Sequence, residues 1–427
     1  MRTIVPCVLA VVVSAAWHVQ PARAEDLLER VGELSEKVAP EVVRLRRDFH
    51  AHPELSNREE RTGRVVAERL RAIGIEQVAT GVAHHGVVAL IPGGKPGPTV
   101  ALRADIDALP VQEATGLPFA SENEGVMHAC GHDAHTAMLL GAAEVLWQIR
   151  DTLPGTVKLI FQPAEEGVPL GEEGGARLMT ELGVLKDPDV SAIFALHVNP
   201  DLPSGKLAYR LGGIMASVDR FDVTLTGKQS HGAMPWQGVD PVVATAHVIT
   251  AIQSIASRKI DARQPVVVSV GVVRAEGRWN IIPEKVIFQG TIRTHNEEVR
   301  REAGAQFRRI VEGTASALGV SAEIEFSDYG PITFNDPDLG KRMLPTLVRA
   351  AGEGNVVETD PVMGGEDFAL YAERVPGFYL FLGIGNEQVG AVHALHTPNM
   401  IVDEAALPLG VRTLVLLAVD YLNQAKP

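Results

Sequence analysis

The segment MHACGHDAHTAMLLG, Met127 to Gly141, sets one cysteine and three histidines within eight positions, just ahead of an apolar run. Thiolate and imidazole are soft to borderline metal donors, and carboxylates are hard ones. Further donors recur in one kind of place. TVALRADIDALP runs into Asp105 and Asp107, TVKLIFQPAEEG into Glu165 and Glu166, and SAIFALHVNP into His197. Each follows a short β-rich stretch. Ligands of open α/β sheets gather at the carboxyl ends of strands, so three strand ends would bring Asp, Glu and His to one edge. Cys130 and His132 would begin the helix beside them. Such a donor set suits Zn²⁺, with Mn²⁺, Co²⁺ or Ni²⁺ as alternatives.

Taken singly, these residues have plainer readings. There is no H-E-x-x-H, and C-x-H is not a zinc-finger spacing. A lone His such as His197 is more often a hydrogen-bonded core residue, as His50, His52, His84 and His85 are read here. An adjacent Glu pair is usually solvated surface. This pair, however, follows an apolar strand and Gln-Pro-Ala, and the coincidence of several such strand ends favours a metal site.

The elements that must position these groups alternate. A helix-like stretch, Leu27 to Phe49, is followed by a turn and a second amphipathic helix. Thr99–Ala104, Thr156–Phe161 and Ser191–Leu196 read as strands, with an apolar helix from Ala134 to Arg150 between the first two. This predicts an α/β fold with a mixed, mostly parallel sheet covered by helices. From about residue 216 the order becomes β-α-β-β-α-β, ending in SAEIEF, which predicts an inserted ferredoxin-like α+β lid domain. RLGGIM and DYGPITFNDP supply Gly and Pro for hinges. The catalytic domain then spans 25–215 and 329–427, interrupted by a lid over 216–328. A C-terminal helix is expected over Ala405 to Gln424.

With 427 residues, 46% hydrophobic and 22% charged, the chain can bury a large core. A formal charge of −14 and a pI near 5.5 exclude a nucleic-acid partner held by general electrostatics. Residues 1–24 combine Arg2, an apolar run from Ile4 to Trp17, and Ala22-Arg23-Ala24 ahead of Glu25, the layout of a signal peptide cleaved after Ala24. The run is shorter than the ~20 residues that span a bilayer. The mature chain is therefore expected in the periplasm or secreted, without membrane association. Cys7 would leave with the leader. Cys130 would remain without a disulfide partner, as a buried thiol or a metal thiolate.

RADIDALP, MHACGHDAHTAMLLG, FQPAEEG, ALHVNP, SHGAMPWQGVDP, GTIRT, GGEDF and LHTPNM occur in the order seen in the metal-dependent aminoacylase and carboxypeptidase superfamily. Within it the chain resembles the hippurate hydrolases and auxin-conjugate amidohydrolases, and the fold implied is zinc-exopeptidase-like. The resemblance implies a two-metal site formed by Cys130, His132, Glu166, His197 and His396, with the Cys130 thiolate bridging. It makes Glu165 the general base and Asp105 an outer partner that orients a ligand. His231 would reach the scissile carbonyl from the lid, and Asn280 and Arg293 would hold the substrate carboxylate. The lid would also support a homo-oligomer.

The reaction implied is hydrolysis of an N-acyl amino acid, by water that a divalent metal activates and Glu165 deprotonates. A dipeptidase or metallocarboxypeptidase acting on small peptides is the alternative. A non-catalytic amino-acid or metal-binding protein would not need Glu165. Two residues depart from many relatives. Trp236 replaces a His near His231, which predicts a more apolar pocket unless it is a packing residue. Gly365 replaces a Ser before Glu366-Asp367 and is expected to loosen that loop.

Overall fold

A computed structural model describes residues 21–424. The signal-peptide reading falls, up to residue 20, outside the described residues. The chain opens with helices α1 (Pro21–Ala51) and α2 (Glu60–Ile73), then strands β1 (Val78–Val82), β2 (Gly86–Pro92) and β3 (Lys95–Asp105). Helix α3 (His132–Ile149), β4 (Pro154–Gln162), α4 (Gly175–Glu181), β5 (Val190–Pro203) and β6 (Leu207–Tyr209) follow. The middle segment contains β7 (Gly212–Met215), β8 (Ser217–Thr226), β9 (Ser230–His231), α5 (Pro241–Ile252), β10 (Val266–Ala275), β11 (Ile281–Ile282), β12 (Lys285–Thr294), α6 (Glu297–Ala317), β13 (Ser321–Gly330) and β14 (Thr333–Asn335). The chain closes with α7 (Pro337–Ala351), β15 (Val356–Glu358), α8 (Ala369–Ala372), β16 (Gly377–Gly385) and α9 (Leu407–Gln424).

Eight strands form the main sheet in the order β1-β2-β4-β3-β5-β16-β6-β15, parallel along β4-β3-β5-β16. Its interior strands are buried on both faces, the habit of parallel sheets. On one face Val100 and Leu102 of β3 join a core with α1, α3, α7 and α9. On the other, Ala101 joins a smaller core with Ala176 of α4 and Leu370 of α8. The second sheet, β10-β12-β8-β13, is antiparallel and carries α5 and α6 over its own core around Phe221, Phe288 and Phe307. The expected α/β body and the β-α-β-β-α-β insert are both present. The two hinge segments pair with each other, β7 against β14, and so tie the insert at its root.

Local differences have local causes. Helix α3 begins at His132, two residues before the apolar run, because Gly131 adopts φ +88° and turns the chain into the helix. The helix is apolar on nearly every side, which fits burial between the sheet, α1 and α9. The C-terminal helix begins at Leu407, after a short 3₁₀ turn over Glu404–Ala406 that Asp403 caps through Ala405 N–H.

Gly131 meets two demands. Its left-handed backbone suits glycine, and a Cβ there would lie 2.4 Å from Val198 Cγ2 on β5. Gly131→Ala should therefore cost about 2–4 kcal/mol in urea unfolding, from the left-handed backbone and the overpacking together. It should also lower the bound metal per chain, since the turn separates Cys130 from His132. A cost below about 1 kcal/mol, with metal retained, would show that the turn accepts a side chain.

Candidate metal centre

Beyond the carboxyl ends of β3 and β4, and at His197 midway along the longer β5, the chain collects its reactive groups. Cys130 Sγ lies 3.4 Å from His197 Nε2 and 3.2 Å from His396 Nε2. His396 Nε2 lies 3.3 Å from Glu166 Oε1, and His132 Nε2 lies 3.8 Å from both Glu166 Oε1 and Glu165 Oε2. Donors about 2.0–2.3 Å from a tetrahedral ion sit roughly 3.3–3.8 Å from one another, which these separations match. Two donor sets share the thiol: Cys130 with His132 and His197, and Cys130 with Glu166 and His396.

Hydrogen bonds decide which histidines can ligate. His132 Nδ1 lies 2.9 Å from the Asp107 carbonyl, and His197 Nδ1 lies 2.7 Å from the Val198 carbonyl. A carbonyl only accepts, so each Nδ1 carries a proton, and each Nε2 faces the site, where it offers a lone pair whenever the ring is neutral. His135 is different. Its Nε2 accepts from Val198 N–H and its Nδ1 donates to Asp105 Oδ1 at 2.6 Å, so both nitrogens are used and it orients the ligands instead. His132 Nε2 and Glu166 Oε1 are buried without a hydrogen-bond partner. Two orphaned donors facing the same point are what a cation would satisfy.

The charges make the same case. Burial disfavours an imidazolium at His132, yet the carboxylates of Asp105 and Asp107 outweigh it and push the group up to about 10. Burial, then Glu366 and Glu166, hold the Glu165 carboxyl well above the usual range. Burial, then Glu166 and Glu165, raise the Cys130 thiol. Burial and His135 push His197 well down. The crowded carboxylates thus favour positive charge among them, supplied by protons or by a metal.

A buried guanidinium holds the acidic groups behind the site. Arg103 donates to Asp105 Oδ2 at 2.7 Å, to Asp367 Oδ1 at 2.9 Å and to Gln162 Oε1 at 2.9 Å, and lies 2.9 Å from Glu366 Oε1. Tyr379 donates its hydroxyl proton to Glu366 Oε2 at 2.6 Å. Asp107 accepts from Ser56 and from Glu166 N–H. Among these outer groups, the family resemblance pointed to Asp105 in that role. Arg103, His135, Glu366, Asp367 and Tyr379 carried little signal, although His132 and His135 sit three apart on one face of α3. His50, read as structural, is buried between Asp133 and Glu113.

The lid residues stand apart from the donors. His231 lies on the small β9–β11 ribbon and Asn280 directly before β11, where Gly232 N–H donates to Asn280 O. His231 is exposed, and its Nδ1 accepts from Ala233 N–H at 3.0 Å, which leaves the proton on Nε2. Arg293 donates to Met363 O at 3.0 Å, a contact between the lid sheet and the loop before Glu366. Trp236 is 76% exposed and does not act as a packing residue. At Gly365 a Cβ would lie 2.3 Å from Val218 Cγ2 on β8, so the missing side chain lets loop and lid approach.

The sequence profile of peptidase family M20/M25/M40 matches residues 101–420. The chain belongs to this family. It is 42% identical over 401 residues to thermostable carboxypeptidase 2 of Saccharolobus solfataricus, covering 93% of this chain and 100% of that one. It is 42% identical over 392 residues to an N-acetylcysteine deacetylase of Bacillus subtilis, covering 90% and 98%. A solved Bacillus subtilis structure, described as a dinuclear metal binding peptidase from the M20 family, superposes with a TM-score of 0.78 at 39% identity, covering 91% and 99%. As an M20 member the protein is a metal-binding hydrolase of amide or peptide bonds, and the superposition bears out the expected fold.

Metal uptake should release protons. At pH 7 the metal-free centre holds one proton on the Cys130 thiol and an imidazolium at His132, and both must be shed on coordination. Adding Zn²⁺ to metal-free protein in weak buffer at pH 7 should therefore liberate about two protons per chain. His132→Gln should release about one fewer; an unchanged yield would remove His132 from the ligand set.

Proposed function

We propose that this M20 hydrolase cleaves N-acyl amino acids to a carboxylic acid and a free amino acid, with two divalent ions in the centre. Cys130, His132, His197, Glu166 and His396 would hold the ions, and Asp105 would orient them through His135. A divalent metal bound there acidifies water and polarises the amide carbonyl. The observation that carries the reading is Glu165: a nearly buried carboxyl 3.8 Å from the buried, unpartnered Nε2 of His132, where a bound cation would lower its proton affinity and leave it able to take a proton from water and return it to the leaving nitrogen.

The lid supplies recognition in this reading. With Nε2 protonated, neutral His231 can donate to the oxygen on which charge develops as water adds to the amide. Arg293 and Asn280, whose Oδ1 is buried without a partner, would engage the carboxylate of the amino-acid half. Met234, Trp236 and Trp279 are exposed beside them and suit an apolar or aromatic acyl group. The 42% identity to a carboxypeptidase keeps peptide cleavage as the second reading. The leader-like residues 1–24 support an exported protein. The valine-rich edge strand β10 and the exposed Val242 and Val243 of α5 support pairing of two copies through the lid.

The test is release of free amino acid from acetyl-, benzoyl- and fatty-acyl-amino acids and from dipeptides, with protein loaded with Zn²⁺, Mn²⁺ or Co²⁺. Glu165→Gln should lower kcat by at least a thousandfold while the metal content stays unchanged. Full activity in that variant would refute the assigned base. Turnover of dipeptides alone would transfer the assignment to the peptidase reading. Trp236→Ala should reduce the preference for benzoyl over acetyl substrates about tenfold; an unchanged ratio would free Trp236 of any part in acyl choice.

A further inference from the structure

Glu59 is completely buried, yet its side chain does nothing for the helix it precedes. It is the N-cap residue of α2, and its carboxyl accepts from none of that helix's N–H groups. Glu54 takes those of Arg61 and Thr62 instead. The Glu59 carboxyl turns the other way and accepts, through Oε1, a hydrogen bond from Ala164 N–H at 2.8 Å. Its Oε2 is buried without a partner. A buried carboxyl left half-satisfied is costly, so its placement calls for a requirement outside α2.

That requirement lies at Ala164. This residue has φ +54°, a left-handed conformation that a non-glycine residue keeps only where its surroundings impose it. It reverses the chain between the end of β4 and the adjacent Glu165 and Glu166. The segment around Glu59 also holds the far side of the same loop. Asn57 Nδ2 donates to Glu172 Oε2 and to Glu173 O, each at 3.0 Å. Residues 57–59 thus grip the loop carrying Glu165 both before and after its acidic pair.

We propose that Glu59 is a positioning residue for the general base: its carboxyl clamps the left-handed turn at Ala164 and so sets where Glu165 points. The inference rests on the amidohydrolase reading, in which Glu165 is the base. Burial, with Asp107 adding to it, pushes Glu59 up to about 8, so near neutral pH it is mostly a carboxylic acid whose carbonyl oxygen accepts from Ala164. A glutamine offers the same acceptor in the same shape.

The experiment uses metal-loaded protein and an N-acyl amino acid that the wild type hydrolyses. Glu59→Ala should lower kcat by about ten- to a hundredfold, the scale of a misplaced reacting group, with KM within about threefold and metal content unchanged. Glu59→Gln should stay within about threefold of wild type. Glu59→Ala combined with Ala164→Gly should recover at least about fivefold of the lost kcat, because glycine holds a positive φ unaided. Glu59→Asp, whose shorter side chain draws the acceptor away from Ala164, carries the same expected kcat loss and serves if Glu59→Ala fails to fold. Hydrogen exchange reads the clamp independently of activity: the Ala164–Glu173 segment should exchange faster in Glu59→Ala or Glu59→Asp, and not in Glu59→Gln.

Unchanged kcat in Glu59→Ala, equal losses in the Gln and Ala variants, or a double variant no better than Glu59→Ala would each overturn the proposal. So would unchanged exchange in both Glu59→Ala and Glu59→Asp. A wild type that turns over no substrate, with the exchange pattern as expected, would instead refute the amidohydrolase reading and leave the clamp without a base to serve.

Discussion

Carboxylates crowded into one nearly dry site are the constraint around which this fold is built. Asp105, Asp107, Glu165, Glu166, Glu366 and Asp367 meet at the ends of β3 and β4 and in the loop before α8, and all are buried or nearly so. Like charges at such distances repel strongly where water is scarce. Arg103 answers part of that repulsion by binding three of the six directly. The remaining three, Asp107, Glu165 and Glu166, lie around His132 and are balanced by protons or by a cation. Breaking such a buried network from one side leaves the other charges uncompensated, which is why its members are interdependent.

The backbone accepts strain to hold this arrangement. His396 enters the site with φ +63°, its N–H tied to Ala129 O, and Ala164 turns the chain at φ +54° just before the acidic pair. Both are non-glycine residues in a region that glycine normally occupies, and each lies at or next to a metal-donor position. Gly131 and Gly365 allow the converse economy of space: β5 comes close to the start of α3, and the lid comes close to the Glu366 loop. The site is therefore fixed by packing and strain at its rim as much as by charge at its centre.

The sequence made the architecture legible because the elements were long and their periods distinct. Short β-rich stretches marked three of the four parallel strands, an apolar helix marked α3, and the β-α-β-β-α-β order marked the insert. Glu166 and His197 were legible because the strand-like runs lead directly to them, so chain order predicts position at a sheet edge, whereas Cys130 and His132 were legible as a donor cluster at a helix start and His396 only through the motif resemblance. The outer partners were not. Arg103 looks like any residue of a β-strand, and only its burial and three acidic neighbours show what it does. His135 and His132 carry the same side chain three residues apart, and they differ only in which nitrogen a backbone group already occupies. Glu59 sits in a polar helix start that reads as an ordinary cap, and its partner lies 105 residues away.

The placement of the proposed recognition residues would separate two tasks. The donors Cys130, His132, Glu166, His197 and His396 all lie on the main body and reach one another without help from the insert. His231 lies on a ribbon outside both large sheets and Asn280 directly before its second strand, next to exposed apolar side chains. Only Arg293 among the lid candidates makes a hydrogen bond to the body, through Met363 O. Changes on the ribbon can therefore alter which molecule is held without disturbing the donor geometry, whereas changes in the body alter the chemistry itself. On the proposed roles, a fold divided in this way can keep one reaction while its substrates diverge, because the strained and charged part of the structure would not be the part that reads the substrate. The 42% identity of this chain both to a carboxypeptidase and to a deacetylase fits such a division.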